Sequence, residues 1–261
     1  MLFSQLGYYF LIFGFILSIS IFPIAYKDFK ITNNFVSINI FNIVFFQLIS
    51  VFFSFVFLII SFVNSDFSNE IVYNNSHTTK PLFYKISGTW GNHEGSLLLC
   101  LLVLILFIFL FLLNSKKEPK KYRIYTLLFQ QIIIFGFFLF LLTSSNPFNK
   151  IYPIPFEGLG LNPILQDPIL AIHPPILYLG YIGSSIFFSS SLAAIINNYV
   201  GKEWAKNLKN WVIVSWFFLT IGIMLGSIWA YYELGWGGFW FWDPVENISL
   251  MPWFCLTALI H

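Results

Sequence analysis

Residues 96–113 read SLLLCLLVLILFIFLFLL, a run without a charge that leads straight into the basic turn NSKKEPKKYR at 114–123. About 20 apolar residues cross a hydrocarbon core, and there only a helix or a closed barrel satisfies its own backbone. This stretch therefore predicts a membrane-spanning helix that ends at a polar turn. Working outward, runs of the same kind occupy 6–26, 39–63, 124–143, 174–196 and 211–229, and a seventh begins near Val245. The expected fold is all-α: a polytopic integral membrane protein, residues 1–261 forming one transmembrane domain of six complete helices plus the start of a seventh. Composition agrees, since only 9% of residues are charged against about 25% in soluble domains.

Basic residues orient the chain. Ten of the thirteen Lys and Arg fall in 27–38, 114–123 and 197–210, alternate turns of the zigzag; Lys80, Lys85 and Lys150 lie on the other side. The positive-inside rule then places the N-terminus outside, with 64–95, 144–173 and 230–244 as outer loops. Three of the four histidines fall in those outer loops, so the chemistry is expected at the outer face. A net charge of +2 is too small to imply nucleic-acid binding. Cys100 and Cys255 form no C-x-x-C pair and read as small buried hydrophobes. Abundant Phe, Ile and Asn, with twelve Lys to one Arg, point to A/T-rich codons and hence to an organelle or an A/T-rich bacterium. No cleavable leader is visible; the first run reads as a retained span.

Three outer-face constellations carry chemistry. The first is Gly88-Thr89-Trp90-Gly91-Asn92-His93-Glu94-Gly95-Ser96, which reads as a turn, an interfacial Trp and a helix start, with glycines that permit close approach. In the second, Leu161 to Pro175, Asp167-Pro168 suits an N-cap and N1 proline. There His173 is expected immediately before a second, proline-started helix, held at a defined height. The motifs of 88–175 are separated by helices 3 and 4.

The third is the loop at 229–247, within WAYYELGWGGFWFWDPVENISLMPW (229–253), which holds five of the nine tryptophans. Gly235, Gly237 and Gly238 allow close approach, and Trp236, Phe239, Trp240 and Trp242 offer flat apolar faces. Such density exceeds an interfacial aromatic belt and suits a flat ligand. Asp243-Pro244-Val245-Glu246 reads mainly as a capping box. His261 stands apart as the one ionisable residue inside a span, some 20–25 Å below the loop at 1.5 Å per residue. His173 and His261 therefore cannot share an iron.

The loop GWGGFWFWDPVEN, with WGNHEGSLLL, LNPILQDP, HPPILYLGY and MPWFCLTALIH, resembles the CcmF family, the haem lyase subunits of cytochrome c maturation, from about residue 88 onward. The resemblance implies that His173 is an axial ligand to a substrate haem at the outer face, cradled by Trp236, Phe239, Trp240 and Trp242. It implies that His261 ligates a separate b-type haem in the membrane. It also implies apocytochrome c and other maturation subunits as partners, in a mitochondrial or bacterial inner membrane. Phe239 stands where the family often has Trp. In the family the second ligand of each haem lies beyond this loop, so a fragment or a naturally split protein with a complementary C-terminal part is expected. The alternative is a haem exporter, or a transporter or respiratory-complex subunit, which would place ionisable residues inside several spans.

Overall fold

In the computed structural model, residues 1–31, 36–235 and 244–261 are described, with side chains from residue 247 in the last segment. Among them, six helical segments are long and apolar enough to cross a membrane. These are α1 (Leu2–Lys30), α2 (Ile38–Val63), α5 (His93–Asn114), α6 (Lys120–Thr143), the pair α7 (Pro168–Tyr181) and α8 (Ser184–Ile196), and α9 (Lys202–Glu233). Two short helices, α3 (Glu70–Asn75) and α4 (Leu82–Gly88), lie between α2 and α5. α10 (Pro244–Ile260) is the seventh apolar helix, and the described residues contain no strand.

α1 and α2 pack through small residues. The buried face of α1 is Ser4, Gly7, Leu11, Gly14, Ser18, Ile21, Ala25 and Asp28, spaced alternately by three and four as in a coiled-coil seam. In lipid the hydrophobic effect cannot draw helices together, so close backbone approach and hydrogen bonds do it. Ser54 Oγ accordingly donates to the Gly7 carbonyl at 2.9 Å, and Ser50 Oγ to that of Phe10 at 2.6 Å.

α6 sits between the two halves, tied by adjacent glutamines. Gln131 and Gln47 exchange amide hydrogen bonds at 2.9 and 3.3 Å, and Ser18 Oγ donates to Gln131 Oε1 at 3.2 Å. On the other side Gln130 donates to Ser185 Oγ and accepts from Ser189 Oγ, both at 2.8 Å. Of these uncharged polar residues inside the spans, all but the half-buried Ser185 are fully buried, and they satisfy one another, which is what hydrocarbon demands.

The zigzag expected from the sequence is present. At the basic end, Lys120 pairs with Asp28 at 3.3 Å and the Glu118 carboxylate accepts from Tyr199 and Asn207. At the opposite end, Asn69 Nδ2 donates to Ser4 Oγ and to the Pro147 carbonyl, both at 3.0 Å, which joins α1 to the 144–150 segment. Cys100 is buried as expected, but Cys255 is exposed. It lies on α10 away from the face that packs on α9 through Leu256 and Trp253.

Candidate functional site

The Asp167–Pro175 segment folds differently from the sequence expectation. His173 does not precede a proline-started helix; α7 starts at Pro168 and runs through His173, Pro174 and Pro175 to Tyr181. The start is as read: Asp167 Oδ1 accepts from Ile169 N at 2.8 Å and Leu170 N at 2.9 Å, and its other oxygen accepts from Tyr232 OH. Proline has helical φ, so it can continue a helix whose lost hydrogen bonds are made good elsewhere. The missing N–H of Pro175 frees the carbonyl four residues earlier, that of Ala171. Trp90 Nε1 donates to this carbonyl at 2.8 Å. The first two sequence motifs thus meet through one hydrogen bond.

His173 is held from the other side by α9. Its Nδ1 lies 2.8 Å from the Gly222 carbonyl oxygen. A carbonyl only accepts, so Nδ1 carries the proton, and in the neutral ring Nε2 keeps its lone pair. That is the tautomer of metal-ligating histidines whose second nitrogen is fixed by a backbone carbonyl. Glycines make room. A Cβ on Gly226 would stand 2.7 Å from His173 Cε1, and one on Gly222 would stand 2.7 Å from the Leu177 Cα. A Cβ on Gly180 would stand closer still, 2.3 Å from the Leu219 backbone nitrogen.

The glycines of the Trp90 motif serve the chain itself. A Cβ on Gly95 would lie 1.6 Å from the Thr89 carbonyl oxygen, so the close approach expected there is by the protein's own backbone. Asn92 caps α5, accepting from Gly95 N at 2.8 Å, while Ser96 Oγ donates to the Trp90 carbonyl at 2.6 Å. Beside them opens a cavity of about 370 Å³ lined by Trp90, His93, Ser96, Ala171, Pro174 and Tyr178. His93 is exposed, with Nδ1 3.4 Å from Ser145 Oγ.

His261 follows the last residue of α10. α10 docks on α9 through a Trp216–Trp253 stack with centroids 6.1 Å apart. Trp253 Nε1 also donates to Thr220 at 2.7 Å, and Trp216 Nε1 to Thr257 at 2.9 Å. With Thr257 opposite Trp216 and α10 running back along α9, His261 falls four residues further on, about level with Val212, ten residues along α9 from the Gly222 that holds His173. At 1.5 Å per residue the two histidines are separated by about 15 Å along the bundle, too far to share one metal ion. Among the described residues no three His, Cys, Asp or Glu side chains cluster as a metal site. Trp236, Phe239, Trp240 and Trp242 lie outside the described residues.

The model of the cytochrome c assembly protein family matches residues 90–261. The chain belongs to that family. The match begins at Trp90 and takes in His93, His173, the tryptophan loop and His261. A cytochrome c-type biogenesis protein CycK of Bradyrhizobium diazoefficiens is 53% identical over 215 residues, 82% of this chain and 33% of that protein. CcmF of Escherichia coli is 46% identical over 209 residues, 80% of this chain and 32% of that protein. The chain therefore spans about a third of the length of these curated relatives. A solved structure of the cytochrome c haem lyase CcmF superimposes with a TM-score of 0.82 at 26% identity, covering 99% of this chain and 41% of that one. The multi-pass helical architecture is thus shared along the whole described chain, including α1 to α4, which precede the family match.

The sequence singled out His173 and Asp167 but not what positions them. Trp90, Gly222 and Gly226 act through contacts made across 49 to 81 positions. The Pro-Pro pair was the available signal: it guarantees freed carbonyls that need donors.

Proposed function

We propose that this chain is the haem-handling membrane part of a cytochrome c haem lyase, and that His173 is an axial ligand to the substrate haem. The observation that carries the reading is the His173 Nδ1 bond to the Gly222 carbonyl, which leaves Nε2 as the ligating atom on a ring that α9 immobilises. In this reading the basic end faces inward and His173 lies near the outer face. The loop with Trp236, Phe239, Trp240 and Trp242 follows α9 and stacks on the macrocycle. The substrate's two vinyl groups then accept the two Cys thiols of an apocytochrome C-x-x-C-H site. The chain contributes positioning: orientation alone converts an encounter into an effectively unimolecular step.

His261 is proposed to ligate a second, b-type haem. It fits in that it stands alone at the end of an apolar helix and about 15 Å from His173 along the bundle. When bound, such a haem would supply electron transfer that keeps the substrate iron reduced. The second ligand at each site is proposed to come from a complementary C-terminal part, and apocytochrome c and other maturation subunits are the partners. The setting is a mitochondrial inner membrane, or a bacterial one.

The test is visible absorption of the chain purified with its complementary part, compared with His173→Ala and His261→Ala. Each substitution should remove a different fraction of the haem signal, and the double variant the sum. Unchanged haem content in both single variants would overturn both assignments.

A further inference from the structure

Twelve of the thirteen basic residues are lysines; the single arginine is Arg123, in the first turn of α6 at the basic end. Its side chain is only 6% exposed. Nε donates to Ser115 Oγ at 3.1 Å and Nη2 to the Leu112 carbonyl at 3.0 Å, which fixes the guanidinium plane against the end of α5. Nη1 has no hydrogen-bond partner among the described residues, and no carboxylate there lies within salt-bridge distance of Arg123. Glu118 is near enough for its charge to act on Arg123, but the oxygens of the neighbouring acids are bonded to other groups. Asp28 is taken by Lys120 and by Ser37 N at 3.1 Å, and Glu118 by Tyr199 and Asn207.

Arg123 and the exposed Lys116 line a cavity of about 290 Å³ whose other walls are Val36, Ile38, Phe41 and Leu112. Two cations thus face an apolar recess that holds no free anion. A buried cation is costly unless an anion completes its hydrogen bonds, and the planar guanidinium fork matches a phosphate better than an ammonium does. The lining comes from the start of α2, the end of α5 and the start of α6; with these spans in a bilayer such a place falls near the lipid phosphates, where basic pockets between spans bind anionic headgroups. Apolar walls suit the glycerol and first methylenes of a lipid and disfavour a free, fully hydrated phosphate.

We propose that this recess binds an anionic phospholipid, its phosphate held by Arg123 Nη1 and Lys116 Nζ and its acyl chain lying along Phe41 and Leu112. This site is independent of the haem reading, and so is its test. The purified full chain, stripped of lipid, would be titrated with phosphatidylglycerol, phosphatidylcholine and inorganic phosphate. Bound lipid would be counted by native mass spectrometry and thermal stability followed in parallel. Phosphatidylglycerol should bind and stabilise, with the other two much weaker. Lys116→Glu should weaken phosphatidylglycerol by at least about fivefold, the worth of one lysine at a lipid surface. Lys202→Glu, an exposed control at the same end, should leave it unchanged. Arg123→Lys keeps the charge and loses the fork, and should weaken binding if it folds. Equal losses for Lys116→Glu and Lys202→Glu would mean surface charge alone. Equal binding of phosphatidylcholine, or an equal effect of inorganic phosphate, would likewise overturn the proposal. No loss in Lys116→Glu would leave Arg123 as a cap for α5 only.

Discussion

The α1–α2 pair and the α7–α9 pair both rely on small residues for close helix packing, yet they spend them differently. On α1 the small residues recur in a regular seam, and the serines of α2 add a bond to the Gly7 and Phe10 carbonyls, both well before the helix's one proline, Pro23. On α7 two adjacent prolines break the ladder; the Ala171 carbonyl takes its donor from Trp90, and His173 in turn donates to the Gly222 carbonyl of α9. The first arrangement makes a scaffold that tolerates change. The second makes a histidine whose orientation depends on distant residues. Irregular backbone at membrane depth survives only where protein satisfies it.

The largest expected difference comes from adding one methyl group to each pair. Gly222→Ala drives a Cβ to 2.7 Å from the Leu177 backbone, whereas Gly14→Ala meets only side-chain atoms of Phe138 and Val51 at 3.1 Å. Backbone cannot step aside, so Gly222→Ala should cost about 2–3 kcal/mol and Gly14→Ala under about 1 kcal/mol. Unfolding in mixed micelles checks the pair, and equal losses would erase the distinction. Next, Trp90→Phe keeps the ring and removes the donor to Ala171. An unpaired buried carbonyl costs about 1–2 kcal/mol, and under the proposed assignment haem held at His173 should weaken while haem held at His261 does not. Ser54→Ala, on the scaffold side, should cost about 0.6 kcal/mol and leave both haem signals alone.

The smallest effect concerns the loops that frame the α7 end. Glu157 accepts from Thr78 Oγ1 at 2.6 Å and from Thr78 N at 3.1 Å, joining loop 64–95 to loop 144–173. The Thr78 hydroxyl bond holds its carboxyl below the usual value. A depressed carboxylate pKa stabilises fully above the unfolded value, about 4.3, and that stabilisation is lost as pH falls through the lower folded value. Protection from exchange, relative to the intrinsic rate, at the Thr78 and Gly158 amides that Glu157 accepts should therefore fall below about pH 4 in the wild type and be low at all pH values in Glu157→Gln. Nearby, burial lowers the Lys80 amine to about 8, so amine-directed labelling of Lys80 should show its midpoint there.

Helix number and the alternation of ends were legible because hydropathy and lysine placement act locally. Every expected span is present, although α1 and α9 continue well past their apolar runs. Asp167-Pro168 announced the start of α7 for the same local reason. The continuation through His173-Pro174-Pro175 was not legible, because it depends on Trp90, 81 positions from the Ala171 carbonyl it satisfies. The Gln47–Gln131 pair escaped notice too: a lone amide in an apolar run does not reveal its partner, 84 positions away. The glycines around Trp90 were read as allowing something to approach the backbone closely, and at Gly95 that something is the Thr89 carbonyl.

The central claim is that α9 fixes His173 in the tautomer that leaves Nε2 free to ligate iron. The most direct test is His173→Gly, purified with the complementary part of the protein, with visible spectra recorded with and without added imidazole. The account predicts loss of the substrate-haem bands and their return on adding imidazole, which fills the vacated ring position against the Gly222 carbonyl. Retention of the wild-type spectrum in His173→Gly without imidazole would contradict it.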